Sequence, residues 1–331
     1  MQRLVNDKLI LFFFLLASID SFCQSSSKIK KPKDERLAEA YGYLEGQKFT
    51  LEKIESNFSH LSLSVIKARS TFSSSFGEAE KNLILYLKDH WGEKHFNDFK
   101  LRMKTKLNET LGNQEFNEEE AQIFVEEVEN RAQGKISTPV LETLLNFEYQ
   151  AHPENEFING YKQAYRTKGH PKSKGTDWQI KVPKSWLADE AERPNIIQKF
   201  TSNYGDGSEI IMLMVKDMGL PKNYKFSEAE LNSFFSENGA KEMVPKGSKF
   251  VSFKRMILDN HIGGMLTIDQ EVERLDFKVK IRMLQFNFVR GNKLYFIQCH
   301  ISSSDLASKT DHFMPLFRQV ANSLVVNEQY K

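Results

Sequence analysis

Apolar positions recur at spacings of three and four through the first half of the chain and at spacings of two through the second. Leu61, Val65, Ala68, Phe72 and Phe76 predict a helix over 61–76, and Leu83, Leu87 and Trp91 predict another over 77–91. Phe96, Phe99, Met103, Leu107 and Leu111 repeat the stripe and stop at Gly112, a residue suited to a C-cap. Asn117 with Glu120 is an N-cap signature ahead of Ala121, Phe124, Val128 and Ala132. Thr138-Pro139 opens a short helix carrying Leu141, Leu144 and Leu145, where the missing proline N–H would be unbonded in any case. Helices of this length joined by short polar connections predict antiparallel neighbours, hence a helical bundle over 34–165.

From Thr176 the period changes. Trp178, Ile180 and Val182 alternate with Gln179 and Lys181 until Pro183 ends the strand. A second strand is expected over 195–201. The nearly continuous apolar run 209–216 predicts a central strand covered on both faces. Ser227 and Glu230 form a capping box for a helix with Leu231, Phe234 and Phe235 inward. Four strand-like runs follow at 249–258, 262–273, 277–289 and 294–302, with Asp259-Asn260 and Arg290-Gly291-Asn292 as turns. Tight turns between adjacent strands make an antiparallel meander. With helices before and after it, 176–331 is an α+β layer. In the last helix Pro315 is out of place, since an interior proline costs roughly 3 kcal/mol. Either that helix begins near Phe313 or it kinks there and exposes the Asp311 carbonyl.

The stretch 166–175, RTKGHPKSKG, is expected to link the two parts. It is not a phosphate loop: Gly175 is followed directly by Thr176, and no apolar strand precedes it.

The N-terminus bears on compartment. Arg3 and Lys8 precede the apolar run LILFFFLLA of residues 9–17, far short of the roughly twenty residues a membrane span needs. The pattern is that of a signal peptide over 1–23 with cleavage between Cys23 and Gln24. Asp20-Ser21-Phe22 ahead of Cys23 argues against lipoprotein anchoring. A polar tether over 24–33 follows. The mature chain is thus expected to be exported, to the periplasm or the extracellular space, with no transmembrane segment. It retains Cys299 alone, so no intramolecular disulfide can form.

With 331 residues, 26 of them Phe, and a net charge of +2, the chain has the composition of a globular protein and no basic footprint for nucleic acid. Residues 24–160 carry 18 basic and 23 acidic side chains, and residues 161–331 carry 26 and 19, so the halves differ in sign.

Familiar catalytic patterns are missing from the sequence. His90 and His95 are five apart and fall on different faces of a helix, and neither a CxxC pair nor an HExxH motif occurs. Cys299 beside His300 suggests a thiol and its base, but neighbours on a strand point to opposite faces. Cys299 shares its face with Ile297 and Ile301, as a small buried hydrophobe would. Ser302-Ser303-Ser304 needs only a turn and capping role before Asp305. The acidic clusters 118–120 and 126–129 leave the apolar stripe free and read as a solvated helix face. Trp178, Trp186 and Tyr204 could line a ligand groove, although aromatics at strand spacing are core residues more often. Asp269, Glu271 and Glu273 alternate along one strand, and Lys278, Lys280 and Arg282 along the next. Opposite charges facing each other across strands contribute about 0.2–1 kcal/mol per pair. This face is either solvated or docks a partner, and its six residues are the candidate partner-binding set.

Trp178-x-Ile-x-Val-Pro, the helix after the third strand, the long meander, and the strand-to-helix ending Ala321-Asn322-Ser323-Leu324 together resemble the PsbP/Mog1-like family over 176–326. That family also includes DcrB-type bacterial envelope proteins. The resemblance implies an antiparallel sheet flanked by helices, acting as a binding or assembly module with no shared catalytic set. The helical half resembles no family by its residues. The expectation is an exported, non-catalytic binding or scaffold protein of the cell envelope with a protein partner and no cofactor. The alternatives are a hydrolase or transferase with an interdomain site, or a small-ligand carrier.

Overall fold

A computed structural model describes residues 31–274 and 277–330. The expected signal peptide, the Cys23–Gln24 cleavage site and most of the tether lie outside the described residues. The chain divides into two compact units, Met1–Glu148 and Tyr149–Lys331.

The first unit is all helical: α1 (Lys33–Asn57), α2 (Ser62–Trp91), α3 (Glu93–Leu111), α4 (Glu118–Ala132) and α5 (Leu141–Glu148). Helix α1 is one that the periodicity does not announce. It packs against α2, α3, α4 and α5, so five successive residues, Ala40 to Leu44, are buried. A helix enclosed on several sides carries no single apolar stripe. The two helices expected over 61–76 and 77–91 follow one another within α2 and meet at a kink at Phe76, whose dihedrals (φ −140°, ψ 20°) are non-helical. The capping box at α4 is formed: Glu120 N donates to Asn117 Oδ1 at 2.9 Å and Asn117 N to Glu120 Oε2 at 3.1 Å.

The second unit opens with α6 (Pro153–Ile158), β1 (Lys162–Arg166), β2 (Trp178–Pro183), β3 (Leu187–Asp189), β4 (Ile196–Thr201) and β5 (Ile210–Asp217). Two short helices, α7 (Glu228–Phe234) and α8 (Glu237–Glu242), precede the meander β6 (Lys249–Leu258), β7 (His261–Arg274), β8 (Phe277–Arg290) and β9 (Lys293–Ser302). Helix α9 (Leu306–Asn322) and β10 (Val325–Val326) complete it. Strands β3-β4-β5-β9-β8-β7-β6 form one sheet and β1-β2-β10 a second. The change of period at Thr176 predicts a single layer. The Trp178 strand instead sits between β1 and β10, in its own small sheet.

The expected linker 166–175 is a loop inside this unit. Arg166 ends β1, Thr167 and Ser173 are buried, and the Arg166 guanidinium donates twice to Asp177, at 2.6 and 2.7 Å. Gly and Lys enrichment here marks a loop between two paired strands, not a break between units. The Asp259-Asn260 turn is formed, both residues having positive φ (43° and 64°), as a type I′ hairpin requires.

One face of the large sheet, with β2 and α9, encloses the main core: Trp178, Ile211, Leu284, Ile297, Cys299 and Phe317 among others. Part of the opposite face is covered by Phe235, which follows α7, and by Ala240 of α8. Helix α9 starts at Leu306 and carries Pro315 in its interior, so a start near Phe313 does not occur. Its cap is Asp305, whose carboxylate accepts from Ser308 N at 3.1 Å. Two buried carboxylates are fully partnered. Glu156 accepts from Ser185 N (2.8 Å) and Ser185 Oγ (2.7 Å), and Glu209 accepts from Ser202 Oγ (2.6 Å) and pairs with Lys309 (3.0 Å).

Candidate functional site

Strands β7 and β8 run for 14 residues each, whereas β6 and β9 run for 10. Pairing with β6 begins at Lys249↔Asp269 and pairing with β9 ends at Ile281↔Ser302. The rungs Glu271↔Lys280, Val272↔Val279 and Glu273↔Lys278 therefore extend past both flanking strands as a two-stranded arm.

The six charged residues singled out by alternation fall in direct register on this arm: Asp269 opposite Arg282, Glu271 opposite Lys280, Glu273 opposite Lys278. The rungs differ in kind. At the base, Arg282 Nε and Nη2 donate to the two Asp269 carboxylate oxygens, both at 2.7 Å, and the pair is only partly accessible. Arg282 also approaches Thr310 Oγ1 of α9 at 3.5 Å. The Asp269 hydrogen bond keeps the guanidinium pKa above its ordinary value. Further out, Glu271, Glu273, Lys278 and Lys280 are exposed, and among the described residues none has an ion pair within 4 Å. The base rung is a structural clamp; the outer rungs leave four charges facing solvent.

Beside the base of the arm lies a groove of about 540 Å³, lined by Gly247, Ser248, Lys249, Asp269, Gln270, Glu271, Lys280, Ser304 and Leu306. One wall is the entry to β6 and the other is the turn from β9 into α9. Periodicity did not indicate Gly247, Ser248, Lys249, Ser304 or Leu306. The groove arises because β6 starts late and β9 ends early, a signal present in the unequal lengths of the four strand-like runs. It offers cations and anions side by side, a surface suited to charged segments of a polypeptide.

The remaining candidates resolve into structure. Cys299 is fully buried in the main core and burial pushes its thiol up, away from the nucleophilic thiolate. His300 lies on the other face of the sheet, opposite Met283 and hydrogen-bonded to Gln298. Burial, with Arg193 nearby, lowers its pKa to about 4. The two do not meet. Trp178 and Trp186 are core residues, edge-on to Tyr295 at 5.8 Å and to Phe317 at 6.4 Å, and Tyr204 sits in a turn with φ of 51°. The acidic residues of α4 are largely engaged within the bundle: Glu118 with His60 at 2.9 Å, Glu127 with Arg131 at 2.7 Å, Glu129 with Lys67 at 2.7 Å. Among the described residues, no group of three or more His, Cys, Asp or Glu side chains is placed to hold a metal ion, and no helix is long and apolar enough to cross a membrane.

No family model and no curated protein matches the chain. Among solved structures it is similar to LpqN of Mycobacterium tuberculosis, described as involved in cell envelope biogenesis, at 12% identity and a TM-score of 0.32 over 53% of this chain and 96% of that one. It is also similar to a Pseudomonas aeruginosa protein of unknown function, PA94, at 14% identity and a TM-score of 0.24 over 50% and 97%. The solution structure of PsbP from Synechocystis sp. PCC 6803 is a further neighbour, at 14% identity and a TM-score of 0.32 over 50% of this chain and 92% of that one.

Proposed function

We propose that this chain is an exported, non-catalytic binding protein of the cell envelope that docks a protein partner on the charged arm and its groove. The observation that carries the reading is the outer half of the ladder: four exposed charges in register, with no ion pair among the described residues, beside an open groove. Charges that served only the sheet would be expected to close on one another, as Asp269 and Arg282 do. The burial of Cys299, its separation from His300 and the clamping of Asp269 support a binding role over a catalytic one. Export rests on the sequence of residues 1–24.

A four-fold exchange, Glu271→Lys, Glu273→Lys, Lys278→Glu and Lys280→Glu, separates docking from stability. It keeps every cross-strand pair opposite in sign while inverting the pattern seen by a partner. Crosslinking of tagged full-length chain in cells, followed by mass spectrometry, should yield a partner with the parent sequence and lose it with the exchanged one. An unchanged partner set would overturn the docking reading. N-terminal sequencing of the secreted or periplasmic fraction should begin at Gln24, and recovery in the cytoplasm with residue 1 intact would overturn export.

A further inference from the structure

The seven-stranded sheet has two edges of different character. On one side β3 is three residues long; on the other β6 runs for ten. Among the described residues, β6 pairs with β7 alone. Among the described residues, no turn, loop or capping backbone bond involves residues 249–258. Its outer side is a row of backbone donors and acceptors spaced for another strand. The register shift between Phe250 and Ser252 bends its start and leaves the seven residues Ser252–Leu258 as the straight, pairing-competent part.

The side chains along that edge have a definite chemistry. Val251 and Ile257 are exposed, at 39% and 60%. Between them stand Lys254 and Arg255, both exposed, and the strand contains no acidic residue. Lys254 has no ion pair among the described residues, and Arg255 donates to the neutral amide of Asn232. As neighbours on a strand, the two cations project to opposite faces of the sheet. A second copy of this chain is a poor occupant, because antiparallel pairing of two β6 edges would set each Lys254-Arg255 pair against its own copy. The charge that keeps copies apart selects a strand of opposite sign.

We propose that β6 is a strand-accepting edge, and that its occupant is an extended segment of a protein partner with two adjacent acidic residues opposite Lys254 and Arg255, flanked by β-branched residues that meet Val251 and Ile257. Main-chain bonds hold such a segment in place and the side-chain pattern selects it. This surface is separate from the arm; it shares only Lys249 with the groove beside it.

The test uses the full chain and two capped, dye-labelled octapeptides, Val-Thr-Val-Glu-Glu-Val-Thr-Val and the same sequence with Lys-Lys at its centre. Hydrogen exchange with the Glu-Glu peptide should slow the amides of 252–258, and fluorescence anisotropy should show it binding at least tenfold more tightly than the Lys-Lys peptide. The double variant Lys254→Glu/Arg255→Glu, altering only exposed side chains, should invert that preference. Absence of protection in β6, equal affinity for the two peptides, or an unchanged preference in the variant would each overturn the proposal. Protection confined to 270–280 would overturn it while favouring the arm.

Discussion

The ring of Phe253 lies over the bare Cα of Gly264 on the neighbouring strand: a Cβ at Gly264 would sit 2.3 Å from the ring atoms Cε2 and Cζ. The adjacent Gly263 is constrained differently, since its Cβ would lie 2.3 Å from the Asn287 carbonyl oxygen across the β7–β8 ladder. A ring can rotate away, whereas a backbone carbonyl moves only with its strand. Gly264→Ala is therefore expected to destabilise by about 1–3 kcal/mol, the usual cost of overpacking, and Gly263→Ala by more. Urea unfolding of the two variants gives the comparison, and a smaller loss at 263 would show that the ladder yields before the ring.

The rungs of the charged arm should divide in the same measurement. Asp269→Asn leaves a partly buried guanidinium without its bidentate partner and should cost about 1.5–3 kcal/mol, the range for hydrogen bonds to charged groups. Neutralising Glu271, Glu273, Lys278 or Lys280 singly should change stability by less than about 0.5 kcal/mol, as for other exposed charges. Arg282→Lys should resemble Asp269→Asn, because an ammonium cannot reproduce the fork.

Acid sensitivity should involve His300 and His312, whose pKa values are both lowered, and the large shift is that of His300. The His300 pKa in the folded state is lowered to about 4 from 6.5, so the unfolded chain takes up the proton first as pH falls. The stability linked to its neutral form is complete above pH 6.5 and is lost between 6.5 and 4, by about 1–3 kcal/mol over that window. Thermal midpoints of the parent and His300→Asn should converge as pH is lowered through this range, and parallel curves would exclude His300 as the cause. At Glu209, burial alone would raise the pKa, but the Ser202 and Ser208 hydroxyls and Lys309 more than offset it and leave it lowered. Its contribution persists above the ordinary carboxylate pKa and disappears only as pH falls through the lowered value.

Cys299 should be unreactive in the folded protein. A thiol-directed chromogenic reagent should modify the native chain only as fast as the second unit opens, with the rate rising on addition of denaturant. Rapid labelling under native conditions would contradict its place in the core.

Much of this architecture was readable because local chemistry and tertiary environment agree. Asn117 and Ser227 announce helix starts through capping boxes that form as spaced, and the six charges of the arm fall into register because a strand's side chains alternate. What escaped depends on neighbours distant in sequence. Helix α1 is enclosed, so Tyr41, Gly42 and Tyr43 are all buried and the stripe disappears. Lys162–Arg166 has too few apolar residues to read as a strand and is defined by its pairing with Trp178–Pro183. The groove belongs to no single stretch, being the offset between the ends of four strands.

The position of β2 governs how the second unit can assemble. One of its sides is closed by β1, only a short loop away. The other waits for Val325 and Val326, and the amide of Asp177 for the carboxylate of Glu328, 151 positions on. Closing so long a loop before its contacts can repay the lost chain entropy slows folding. Until that closure Trp178, fully buried in the finished unit, sits on a strand open along one side. The slowest step in maturation should therefore be this late seam, and an assisting chaperone would find the strand around Trp178 the last to be sheathed.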